Sequence, residues 1–191
     1  MPTGQFDIPA LPVLLALGFV VMAVTWVLLR RRGEPSAWRL GAAWLAGWYA
    51  VAVLGATMLP MRLAWGASAG DLEPYRIILV PLITMRVGDF LLNIVMTLPL
   101  AVLLRVVFGV RERARVVLAG FLLSAVIEVT QAILDLTLHG NRWADVNDLI
   151  SNTLGALLGW WALDRLLRVR AVRRIVTRAS APPARAGAPT T

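Results

Sequence analysis

Residues 116–152 read VVLAGFLLSAVIEVTQAILDLTLHGNRWADVNDLISN. The first part is apolar except for Ser124, Glu128, Gln131 and Asp135, which follow one another at steps of four, three and four. That spacing puts them on one face of a helix. A short loop carrying Arg142 follows, and then Asp145, Asp148 and Asn152 repeat the spacing at the start of a second apolar run. Each polar or ionisable side chain costs roughly 2.5–3.5 kcal/mol at a helix centre in hydrocarbon on insertion scales. A chain that aligns several of them on two adjacent apolar helices has a use for them. The predicted fold is all-α, a polytopic transmembrane helix bundle.

Composition agrees. Of 191 residues 59% are hydrophobic and 16% charged, against about 45–50% apolar and about 25% charged in soluble domains. The mean hydropathy is +0.73. Cysteine is absent, which removes disulfides, thiolate catalysis and cysteine metal sites. With His139 the single histidine, a metal site is not expected. The net charge of +8 comes from nineteen basic residues, all arginine. In a membrane protein such an excess marks cytoplasmic loops and attracts anionic headgroups. No basic-aromatic module accompanies it, so no nucleic-acid partner is expected.

Five apolar segments approach the roughly 20 residues a bilayer crossing needs: 9–29, 39–59, 88–108, 116–138 and 146–167. The first lacks a preceding arginine and a small-residue cleavage site, so it reads as an anchor rather than a signal peptide. Arg30, Arg31, Arg32 and Arg39 fall between spans one and two, and Arg111, Arg113 and Arg115 between three and four. Arg165, Arg168, Arg170, Arg173, Arg174 and Arg178 close the last span. In the alternate connections arginines are offset by acids. The positive-inside rule predicts the N-terminus outside and the C-terminus in the cytoplasm.

The chain divides into two anchoring helices (1–60), an outer loop with an interfacial or re-entrant stretch at Ile77–Leu82 (61–87), a three-helix core (88–170) and a basic, then disordered, tail (171–191). Most tryptophans fall near span ends, as an aromatic belt requires. No internal repeat supports an inverted-repeat transporter.

Antiparallel spans bring Asp89 and Asn93 of the third, Glu128, Gln131 and Asp135 of the fourth, and Asp145, Asp148 and Asn152 of the fifth towards one outer region. The candidate ligand-binding set is Asn93, Glu128, Gln131, Arg142, Asp145, Asp148 and Asn152; the candidate catalytic groups are Glu128, Asp145 and Asp148. Duller readings stand beside these. Asp145 or Asp148 suits a helix cap, Asn93 and Asn152 suit interhelical hydrogen bonds, and Asp135 reads as near-surface and solvated. Arg105 reads as snorkelling towards headgroups. Glu128 has no base one turn away, so it requires a proton, water, Arg142 or an amide from another helix. Ser151, Gly155 and Gly159 form a small-residue stripe suited to close packing within the monomer, and no strand or Gly-Lys-Ser/Thr pattern makes it a phosphate loop.

These residues carry a resemblance. Ile78-Leu79-Val80-Pro81-Leu82, Asn93 with Pro99-Leu100, Ile127-Glu128 with Gln131, and the run Arg142-Trp143-Ala144-Asp145-Val146-Asn147-Asp148 through Asn152-Thr153-Leu154-Gly155-Ala156 resemble the VanZ-like membrane family over roughly residues 75–167. The family usually has Phe at the position of Leu82 and Gly at those of Leu92 and Ala101, departures that touch packing more than the polar set. The resemblance implies a multi-pass protein of the bacterial cytoplasmic membrane and cell envelope, with a family-level link to resistance to teicoplanin, a lipidated glycopeptide.

The leading expectation is recognition of an amphiphile or lipid-linked headgroup at the outer leaflet, with Arg142 pairing an anionic group and no cofactor. The expected partners are membrane lipids, a lipid-linked envelope precursor or a lipoglycopeptide. One alternative is a membrane-embedded acid/base enzyme using Glu128, with Asp145 and Asp148 on a divalent cation. Another is a proton-coupled transporter subunit.

Overall fold

The computed structural model describes residues 3–33, 36–83 and 85–180. The tail expected to be disordered lies, from residue 181 on, outside the described residues. The elements are β1 (Gly4–Ile8), α1 (Ala10–Arg31), α2 (Ala37–Met58), β2 (Met61–Trp65), β3 (Ile77–Ile78), α3 (Val87–Thr97), α4 (Leu100–Phe108), α5 (Arg113–Leu138), β4 (Ala144–Asp145), α6 (Val146–Leu166) and α7 (Arg170–Ala179).

Long apolar runs produce the helices, and their surfaces stay apolar outward. Leu11, Phe19, Leu45, Leu92, Val126 and Trp161 are among many large hydrophobic side chains left exposed. Lipid tails are as apolar as leucine, so such surfaces need no protein cover. Four helical stretches are long and apolar enough to cross a membrane: Ala10–Arg31, Ala37–Met58, Val87–Phe108 and Arg113–Leu138. The expected fifth span, α6, has 21 residues but less apolarity, because Asn147, Asp148, Ser151 and Asn152 occupy its first two turns.

The expected span 88–108 is interrupted. Pro99 has no N–H for the carbonyl one turn back, and α3 gives way to α4 across Leu98 and Pro99. Against this break packs α6. A β-carbon on Gly155 would lie 2.5 Å from the Ile94 carbonyl oxygen, and one on Gly159 would collide with the Leu98 carbonyl. The small-residue stripe thus serves packing within the monomer, as the sequence suggested.

The N-terminal helix pair is held by its own contacts. The Trp48 indole covers Gly18, and the Trp44 indole N–H donates to the Met22 carbonyl at 3.1 Å. These two tryptophans join α1 to α2, a role the belt reading did not foresee. The segments flanking the pair meet in an antiparallel ladder, β1 before α1 pairing with β2 after α2 from Gly4–Trp65 to Ile8–Met61. Strands were not expected from the sequence, nor was the parallel pair in which Ile77 and Ile78 of β3 meet Ala144 and Asp145 of β4. Val53, Met58, Leu59 and Ile127 form the core that joins α2 to α5.

Candidate functional site

Antiparallel connectivity places the C-terminal end of α2, the N-terminal end of α3, the C-terminal half of α5 and the N-terminal end of α6 at one end of the bundle. Arg30, Arg31, Arg32 and Arg39, then Arg111, Arg113 and Arg115, with α7, belong to the other end. Counted from Arg113, Glu128 lies about 22 Å along α5 at 1.5 Å per residue. At this end lies a cavity of about 870 Å³. All seven candidate ligand-binding residues line it: Asn93, Glu128, Gln131, Arg142, Asp145, Asp148 and Asn152.

Glu128 finds its partner on another helix. Its Oε2 accepts the backbone N–H of Asp145 at 2.7 Å, which ties α5 to the start of α6. Asp145 is the N-cap of α6, its Oδ1 accepting the Asn147 backbone N–H at 2.8 Å. The capping reading therefore holds for Asp145, which also lines the cavity. Asp148 stands in the first turn, where a carboxylate suits the positive helix end. Asn93 of α3 lines the cavity together with Asp148.

Two amides are braced from behind. Gln131 Nε2 donates to the Thr57 carbonyl of α2 at 2.7 Å, and Asn152 Nδ2 donates to Ser124 Oγ at 2.9 Å. The oxygens of both amides, Gln131 Oε1 and Asn152 Oδ1, are buried and have no hydrogen-bond partner. The hydroxyls of Ser124 and Ser151 both donate to the Asp148 carbonyl, at 3.3 and 3.1 Å. Neither hydroxyl is set against a base.

Arg142 does not meet a carboxylate. Its Nη2 donates to the carbonyls of Leu59 and, at 3.4 Å, Pro60, so the guanidinium fastens the loop between α5 and α6 to the segment entering β2. Its Nε is buried without a partner.

The expectation that Asp135 is near-surface and solvated is wrong. Its side chain is 4% exposed and stands 3.8 Å from Arg76. Arg76 also pairs with Glu73 and donates from Nη1 to the Gly140 carbonyl at 2.9 Å, a cation placed where the end of α5 favours one. Arg76 is thus a second base beside the acids, brought in by the 60–87 connection. Sequence reasoning also missed Asn147, which is buried, accepts the Leu82 backbone N–H at 2.8 Å and lines the cavity. The exposed residues Arg86 and Asp89 lie at its edge, 3.9 Å apart. No group of three or more His, Asp or Glu side chains suited to a metal ion occurs among the described residues.

Apolar helices of crossing length around a polar-lined cavity define a helical membrane protein with a built polar recess. The chain matches the family described as VanZ/LLP1 over residues 46–168. It belongs to the VanZ-like family, and the match takes in the second half of α2 as well as the region of the resemblance. No curated protein and no solved structure matches the chain.

Proposed function

We propose that the protein receives the polar headgroup of an amphiphile in this cavity, at the outer leaflet of the bacterial cytoplasmic membrane. The observation that carries the reading is the joint one of space and unmet polarity. About 870 Å³ is lined by residues of α2, α3, α5 and α6, and three of them, Gln131, Arg142 and Asn152, carry buried polar atoms without partners. Unmet buried polar groups cost about 1–3 kcal/mol each, so an occupant that satisfies them is favoured. Arginine distribution supports the orientation: the arginine-rich end faces the cytoplasm, with α6 as a fifth crossing, and the cavity end faces out. A lipid-linked wall precursor or a lipidated glycopeptide such as teicoplanin presents its headgroup at that depth.

In this reading Arg142 and Glu128 hold the frame. Arg142 anchors the α5–α6 loop on Leu59 and Pro60, and Glu128 holds the first residue of the α6 cap. The serine hydroxyls are engaged by one backbone carbonyl, which favours recognition over nucleophilic chemistry.

The test is lipid retention. Ala56 lines the cavity from α2, and Ala56→Trp fills it without removing a polar group. Native mass spectrometry of the protein released from membrane nanodiscs should show a tightly held amphiphile on the wild type, reduced about tenfold in the variant. Equal retention by both proteins, with thermal stability unchanged, would refute the reading.

A further inference from the structure

The chemistry left open in the cavity is one-sided. Four carboxylates line it (Asp89, Glu128, Asp145 and Asp148) against two guanidiniums, Arg86 and Arg142. Arg86 lies 3.9 Å from Asp89, and Arg142 Nη2 is spent on backbone carbonyls. One donor of each braced amide is engaged as well, Gln131 Nε2 by Thr57 and Asn152 Nδ2 by Ser124. Their acceptors are unmet: Gln131 Oε1 and Asn152 Oδ1, on residues 7% and 2% exposed, are buried and unpartnered among the described residues.

The orientation of both amides is fixed by their neighbours. The Thr57 carbonyl can only accept, so it must face the Gln131 nitrogen. Ser124 donates its hydroxyl hydrogen to the Asp148 carbonyl, so its oxygen accepts from the Asn152 nitrogen. Both amide oxygens are thereby left free.

We infer that the cavity takes an ammonium-bearing headgroup, a primary amine in its protonated form, in preference to an anionic one; this rests on the amphiphile reading above. A protonated amine carries three N–H donors and no acceptor, matching a lining rich in carboxylates in which the Gln131 and Asn152 amide oxygens lack partners. A bare phosphate carries only acceptors and meets a lining in which carboxylates outnumber guanidiniums four to two, a mismatch strengthened where hydrocarbon lowers the dielectric. The buried Arg142 Nε is a donor without a partner, and it suits an ester or phosphate oxygen beside the amine on the same headgroup. The expectation that Arg142 selects an anion is thereby replaced: its charge offsets part of the acidic lining, and selection lies with the acceptors.

The full chain is reconstituted in phosphatidylcholine nanodiscs containing equal amounts of phosphatidylethanolamine and phosphatidylglycerol with identical acyl chains. Native mass spectrometry then reads which lipid stays bound. The expected result is enrichment of the ethanolamine lipid by about tenfold, falling towards parity in Asp148→Asn. Asp89→Asn, at an exposed position, lowers the same ratio without burdening the fold and covers the case in which Asp148→Asn fails to fold. Parity in the wild type, or enrichment of phosphatidylglycerol, overturns the inference while leaving amphiphile binding intact. Retention of either lipid that Ala56→Trp does not reduce overturns the underlying reading instead. Added glycerophosphoethanolamine separates the two sources of the amine: displacement of the bound lipid assigns a water-accessible headgroup ligand, and its failure assigns a membrane-anchored one.

Discussion

α1 and α6 obey opposite rules. The most apolar 18-residue stretch of Ala10–Arg31 has a mean hydropathy of 2.5, and Gly18 is the one buried residue of α1. α6, too polar to qualify as a crossing helix by hydropathy, buries Asn147, Ser151, Asn152, Gly155, Ala156, Gly159 and Leu163. In water, apolar surface drives burial; in lipid that drive is gone, and polar atoms and small residues take the inside. Burial in α6 therefore follows polarity and small size more than hydrophobicity. Substitutions of the same kind should have opposite consequences in the two helices.

The largest difference is expected for added bulk. Gly155→Leu must push a side chain into the space held by Thr97 and the backbone of Ile94. A backbone cannot swing aside, so the cost is about 3 kcal/mol or more, at the upper end of overpacking. Ala16→Leu adds similar volume on an exposed face of α1 and should stay within about 0.5 kcal/mol. Tryptophan fluorescence during thermal unfolding in detergent measures both. Equal shifts in Tm would show that α6 is not the packed centre.

Removing a polar group comes next. Asn147→Leu leaves the Leu82 N–H without its acceptor and takes the amide from Asp145 Oδ1. An unmet donor costs about 1–3 kcal/mol, and a Tm drop of that size is expected. In α1, Thr25→Val removes only bonds from Thr25 Oγ1 to Val21 and Met22 on its own helix. Its effect should fall within about 0.5 kcal/mol, and a larger loss than for Asn147→Leu would reverse the comparison.

The helices were legible because long apolar runs with arginine at alternate ends leave little choice of fold. The polar face of α5 was legible because steps of three and four on one helix are local information. What escaped depends on distant parts of the chain. β1 and β2 are short extended segments separated by two helices, and neither carries an alternating pattern strong enough to announce a partner. Thr57 and Leu59 serve the site through backbone carbonyls, which no side chain advertises. Asp135 looked solvated because Arg76 arrives from the 60–87 connection, well outside its own helix. Asn147 stood in the motif itself, but its role depends on Leu82, whose backbone has φ 68° and turns its N–H towards α6. Pro99 was visible as a residue, and only the packing of Gly155 and Gly159 against the break shows what the interruption accommodates.

The smallest effect is expected at the residue whose sequence position looked most costly. Glu128 carries a carboxylate deep in α5, yet its recorded bond is to a neutral backbone donor, the Asp145 N–H. Glu128→Gln preserves an acceptor oxygen at the same reach, so Tm should change by less than about 0.5 kcal/mol equivalent. Glu128→Leu removes the acceptor and strands the Asp145 N–H at the mouth of α6, and should cost about 1–3 kcal/mol. If Gln proves as damaging as Leu, the charge itself is holding the bundle together. The cavity end would then depend on an ionic contact rather than on the amide clamp, and the contrast with α1 would rest on electrostatics instead of hydrogen-bond accounting.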